Sequence, residues 1–138
     1  MSILTFIDSC VLINAVQGVG EANRKALEIL DDEDRKFIVS DFVLLEVIPK
    51  PTFNKIQDQV SFYQSFFNDV STSIEISTAI TTLAIQLSSE YDVAPMDSLI
   101  VSSAIVGRAD ELITMEKPTN PMHRVKEIKV ISLYTPTS

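Results

Sequence analysis

The chain has 138 residues, 46% of them hydrophobic, a formal net charge of −8 and a single cysteine. That length and content suit one globular domain over residues 1–138, able to bury about two-thirds of its unfolded surface, and they exclude a disordered chain. Cys10 alone forms no internal disulfide and belongs to no Cys/His cluster, which excludes structural zinc and points to a reducing compartment; the acidic balance disfavours binding nucleic acid by phosphate neutralisation alone, although divalent cations can offset clustered carboxylates locally.

The opening stretch Ile3-Leu4-Thr5-Phe6-Ile7 reads as a buried strand that runs straight into Asp8. Its apolar run is too short for a membrane span and no basic region precedes it, so a cytoplasmic location without a membrane partner is expected. Open α/β sheets bind ligands at the carboxyl ends of their strands, which makes Asp8 the first candidate site residue. Asp8-Ser9 can cap a helix through Val16, with Gly18 and Gly20 at its end. A second helix, Glu21 to Leu30, carries Ala22, Ala26, Ile29 and Leu30 on one face and stops in the solvated acidic turn Asp31-Asp32-Glu33-Asp34. Lys36 to Val39 is a short strand, and Ser40 or Asp41 caps a third helix that ends before Pro49.

Pro49-Lys50-Pro51-Thr52 is the clearest breaker in the chain. Beyond it, Phe53, Ile56, Val60, Tyr63, Phe67 and Val70 predict one face of a long helix, widened by Phe62 and Phe66 and suited to core packing or to a homodimer contact. Ser73 to Ile76 reads as a strand, and Ala79, Ile80, Leu83, Ala84, Leu87 and Tyr91 set a helical period. Pro95 opens another helix that runs through Val106 and closes near Gly107. Glu111 to Thr114 and Lys129 to Leu133 are the last strands, with a loop or short helical turn over Pro118 to His123 between them. Strands alternating with helical segments predict an α/β fold, a parallel sheet with helices on both faces.

Four acids stand where local patterning does not ask for them. Asp8 follows a buried strand; Glu46 is the only charge in Phe42-Val43-Leu44-Leu45-Glu46-Val47-Ile48; Asp97 sits in the first turn of an otherwise apolar helix; Glu116 lies just past a strand end. Each has a plain structural explanation: a helix cap for Asp8, the helix dipole for Asp97, a basic partner for Glu46, an exposed loop for Glu116. An unpaired carboxylate on the apolar helix of Glu46 is costly unless it faces a polar cleft or a cation. Four such acids in one chain point to a shared site more strongly than any one of them does.

Read together, Ile3 to Asp8-Ser9 with Leu12, Glu46 before a breaker, Pro95-Met96-Asp97-Ser98-Leu99 and Leu112-Ile113-Thr114-Met115-Glu116 resemble the PIN domain over nearly the whole chain. That family contains metal-dependent ribonucleases, including the toxins of VapBC toxin–antitoxin pairs. The resemblance implies a three-layer α/β/α sandwich with a central parallel sheet. It carries a catalytic role to Asp8, Glu46, Asp97 and Glu116, with Asp8, Asp97 and Glu46 facing a Mg²⁺ or Mn²⁺ ion, and helper roles to Ser9 and Thr114. The last corner departs from the pattern, which more usually shows aspartate than the longer Glu116. The implied activity is hydrolysis of RNA phosphodiester bonds by metal-activated water, and the implied partners are RNA and an antitoxin protein.

The remaining polar residues have simpler readings. Asn14 suits the polar face of the first helix, His123 is a surface histidine before it is a general base, and Lys50, Lys55, Lys117, Arg124 and Lys126 are solvated charges or a phosphate path. A haloacid-dehalogenase-like phosphatase needs an acid where Cys10 stands, and a receiver domain wants an acidic pair beside the first strand. The competing reading from another class is a PIN-like module that binds nucleic acid or regulates without cleaving, favoured by Glu116 and by the net charge.

Overall fold

The computed structural model describes residues 2–136. Five strands, β1 (Ile3–Ile7), β2 (Arg35–Ser40), β3 (Thr72–Ile74), β4 (Glu111–Thr114) and β5 (Lys129–Ser132), form one all-parallel sheet in the order β3-β2-β1-β4-β5. Parallel strands buried on both faces read as continuous apolar runs. In β1, Thr5, Phe6 and Ile7 are buried, and every residue of β4 is.

Between β1 and β2 lie α1 (Ser9–Gln17) and α2 (Gly20–Leu30); between β2 and β3 lie α3 (Asp41–Val47), α4 (Pro49–Phe53) and α5 (Gln57–Asp69). The chain then reverses across the sheet through α6 (Thr78–Tyr91) and α7 (Pro95–Val106) to β4, and a 3₁₀ turn (Pro121–Arg124) leads to β5. Crossovers between parallel strands are right-handed, so travelling outward from β1 and then back past it puts the two groups of helices on opposite faces. The result is the three-layer α/β/α sandwich. Phe6, Ile7, Val11, Leu12, Ile38, Val39, Val43, Tyr63, Val101, Leu112 and Ile113 form its fully buried core. No helix among the described residues is long and apolar enough to cross a membrane.

Several boundaries differ from the sequence pattern, each for a local reason. The proline segment is a helix. Pro49 and Pro51 occupy the first turn of α4, where a missing N–H breaks no intrahelical bond, and Ile48 keeps helical dihedrals between α3 and α4. The long aromatic helix starts at Gln57 instead of Phe53, because Lys55 adopts a left-handed φ of 57° and separates α4 from α5. Its aromatic face turns inward: Tyr63 is buried, and the Phe66 ring lies 5.8 Å from that of Phe37 on β2. Strand β3 covers Thr72–Ile74, ending short of Ile76; three residues past its end, Ser77 caps α6 by accepting the Ile80 N–H at 3.4 Å.

At the amino-terminal edge of the sheet, three strands are tied by one buried carboxylate. Glu111 on β4 accepts the Thr5 hydroxyl of β1 at 2.7 Å and Arg35 Nε of β2 at 2.9 Å, while Arg35 also pairs with Asp32. This fixes the register of β2, β1 and β4, and the opposite edge is where the acids gather.

Candidate active site

Strand order reverses between β1 and β4, and a crevice opens at the carboxyl edge of an α/β sheet at such a switch point. Ile7 pairs with Ile113, so Asp8 and Thr114 leave the sheet side by side, the Asp8 N–H bonding the Ile113 carbonyl at 3.0 Å. Thr114 Oγ1 donates to Asp8 Oδ2 at 2.8 Å. Asp8 stands at the N-cap position of α1, yet its side chain caps nothing. The carboxylate is turned from the helix toward Thr114.

Ser9 links Asp8 to Glu46. Its hydroxyl has one proton, and the 2.8 Å contact to Glu46 Oε1 on α3 claims it over the 3.3 Å contact to Asp8 Oδ1. Burial lifts the Asp8 carboxyl from 3.8 to about 6; the negative charges of Asp97 and Glu46 push the same way, against the Thr114 hydroxyl. Burial also pushes the Cys10 thiol up, so it stays protonated. Cys10 Sγ lies 3.4 Å from Thr114 Oγ1, and the Met115 N–H closes on Cys10 Sγ at 3.2 Å.

Asp97 enters from the first turn of α7 and Glu116 from the segment after β4. Asn120 Nδ2 lies 3.3 Å from Asp97 Oδ2 and 3.3 Å from Glu116 Oε2. The Glu116 backbone is pinned: its N–H donates to Thr114 Oγ1 at 3.1 Å, and its carbonyl accepts the Ser132 hydroxyl at 2.6 Å with His123 Nε2 at 3.3 Å.

All four acids line one open cavity of about 220 Å³, together with Ser9, Cys10, Ile13, Met96 and Ile100. Among the described residues, no three acid, cysteine or histidine side chains close on a single point tightly enough to enclose an ion. The donors are hard carboxylate oxygens around room for water, which suits a cation that keeps part of its hydration shell on one or two carboxylates and does not suit a fully chelated one.

The sequence candidates fall into two groups. Asp8, Ser9, Glu46, Asp97 and Glu116 line the cavity, and Thr114 supports Asp8 from beneath. Asn14 does not reach it and donates to the Cys10 carbonyl. His123 meets only backbone, Lys117 lies over the Tyr134 ring at 5.5 Å from its centroid, and Lys50, Lys55, Arg124 and Lys126 are exposed. Two residues join the site without a signal of their own kind. Cys10 follows from its place in the first turn of α1. Asn120 precedes Pro121, a helix-start pattern that fixes its side chain without revealing which acids it meets.

Fold and cavity together define an α/β domain with an acidic cleft at its topological switch point. The PIN domain family model matches residues 5–117, and the chain belongs to that family. Similar solved structures include VapBC2 from Rickettsia felis bound to a promoter DNA fragment (19% identity, TM-score 0.70, 93% of this chain and 97% of that one). A toxin–antitoxin complex from Klebsiella pneumoniae is 25% identical with a TM-score of 0.70, covering 94% and 98% of the two chains. FitAcB from Neisseria gonorrhoeae is 14% identical with a TM-score of 0.67, covering 94% and 97%. Comparison with curated protein sequences gives no match.

Proposed function

We propose that the chain is a Mg²⁺- or Mn²⁺-dependent endoribonuclease of the VapC toxin type, working through Asp8, Glu46, Asp97 and Glu116. The observation that carries this reading is the single cavity in which four acids from four separated segments of a PIN domain meet. Asp8 and Asp97 would hold the cation, with Glu46 and Glu116 completing the negative pocket and holding water. A divalent cation bound there supplies an activated water and charge stabilisation on the phosphoryl and leaving oxygens.

The protein's part is preorganisation. Thr114 fixes the rotamer of Asp8 and favours its ionised form, Ser9 holds Glu46 beside it, and the pinned backbone at Glu116 keeps the fourth carboxylate at the rim.

Several similar structures are complexes of toxin with antitoxin, which supports an antitoxin as the protein partner here. Exposed Leu45 on α3 and Phe53 on α4 offer apolar surface for it. The deciding experiment compares cleavage of single-stranded and structured RNA by the wild type and Asp97→Asn, with Mn²⁺, Mg²⁺ or EDTA. Metal-dependent cleavage that falls by about 10²-fold or more in the variant is expected. No cleavage by the wild type across a broad RNA panel would favour the non-cleaving binding module, and equal cleavage by both would remove the site assignment.

A further inference from the structure

We infer that Asn120 is a positioning residue that ties Asp97 and Glu116 into one carboxylate pair and presents the pair to the divalent cation; the inference rests on the metal-site reading above. The orientation of its amide is settled by its other end. Oδ1 accepts the Met122 N–H at 2.9 Å at the start of the 3₁₀ turn, so the oxygen faces the turn and both Nδ2 hydrogens face the acids. The backbone is held as well, with the Asn120 N–H on the Lys117 carbonyl at 2.9 Å and the His123 N–H on the Asn120 carbonyl at 3.0 Å.

One nitrogen therefore spans two carboxylates, at 3.3 Å to Asp97 Oδ2 and 3.3 Å to Glu116 Oε2. Each contact engages a single oxygen, leaving Asp97 Oδ1 and Glu116 Oε1 for an ion or its waters. A lysine or arginine would relieve the repulsion between the acids more strongly, but it would bring a fixed positive charge that competes with the cation. A neutral amide relieves it without that competition. Glu116 has one more rotatable bond than aspartate, and because its backbone is already pinned by Thr114 and Ser132, Asn120 is the group that restrains what remains.

The test is Mn²⁺ binding by isothermal titration calorimetry on the full chain, for wild type, Asn120→Ser, Glu116→Gln and the double variant. Serine keeps an oxygen that can cap the 3₁₀ turn but is too short to reach the acids. Thermal midpoints in EDTA report whether each variant folds. Asn120→Ser is expected to weaken Mn²⁺ binding by about 10- to 100-fold while remaining folded. Since it acts through the pair, the same change in the Glu116→Gln background should cost markedly less, about threefold. Unchanged affinity in Asn120→Ser, or equal losses in both backgrounds, overturns the positioning role while leaving the metal site standing. A wild type that binds no Mn²⁺ overturns the metal site, and the inference with it.

Discussion

Replacing Asp8 by asparagine should make the metal-free protein more stable and deprive it of its response to Mn²⁺. The Asp8 side chain is buried, with 5% of the residue exposed, and its carboxyl is raised from 3.8 to about 6, chiefly by desolvation. The folded protein therefore holds this proton at pH values where the unfolded chain has released it. Ionised Asp8 lowers stability fully above the folded-state value, and the penalty is relieved as pH falls from about 6 toward 3.8. At about 1.4 kcal/mol per pH unit the gross penalty is about 3 kcal/mol. Asparagine keeps an oxygen for the Thr114 hydroxyl but brings an amide that must also be accommodated, so the net gain is about 1–3 kcal/mol at pH 8. For a chain of this length that is roughly 3–10 °C in thermal midpoint. Urea and thermal unfolding in EDTA across pH 4 to 8 would measure it, with the two proteins converging near pH 4. Millimolar Mn²⁺ should then raise the midpoint of the wild type only. An Asp8→Asn protein less stable than wild type at pH 8, or a gap that does not change with pH, would refute the reasoning.

Two further substitutions probe the frame that holds the site. Glu111→Ala removes the acceptor shared by Thr5 and Arg35 and leaves a largely buried guanidinium with Asp32 alone; urea unfolding should show a loss of about 3 kcal/mol, and an unchanged midpoint would mean that the three-strand tie is not structural. Gly18→Ala would place a Cβ 2.4 Å from the Asn14 carbonyl oxygen, which is already held by the Gly18 N–H at 2.8 Å and Asn23 Nδ2 at 3.0 Å. With so little room to retreat, a loss of about 1–3 kcal/mol is expected by the same measurement, and a neutral outcome would show that the α1–α2 junction can shift.

What could be read from the residues was local. The largely apolar run of β1, Pro95 at the first position of α7 and the aromatic period of α5 each carry their element within a few neighbours. So did the oddity of Asp8, Glu46, Asp97 and Glu116, each acidic against its surroundings. The short helix α4 was hidden because prolines both break helices and begin them, and only the helical dihedrals at Ile48 decide which. The left-handed turn at Lys55 has no glycine or asparagine at that position to announce it. Strand order and the role of Asn120 were out of reach for another reason: both depend on which distant segments meet, and a surface amide looks the same whether it faces solvent or two carboxylates.

The reversal of the chain between β3 and β4 also sets a schedule. Asp8 and its partner Thr114 are 106 positions apart, so during synthesis at about 5–20 residues per second the first corner of the cleft precedes the last by about 5–20 s. Through that interval β1 lacks one of its two neighbours and Asp8 lacks the hydroxyl that orients it; Asp97 follows Asp8 by 89 positions, and Glu116 comes after Thr114. The cleft is thus incomplete while the chain grows, and it closes only when the sheet is nearly finished. The order of its assembly is set by topology alone.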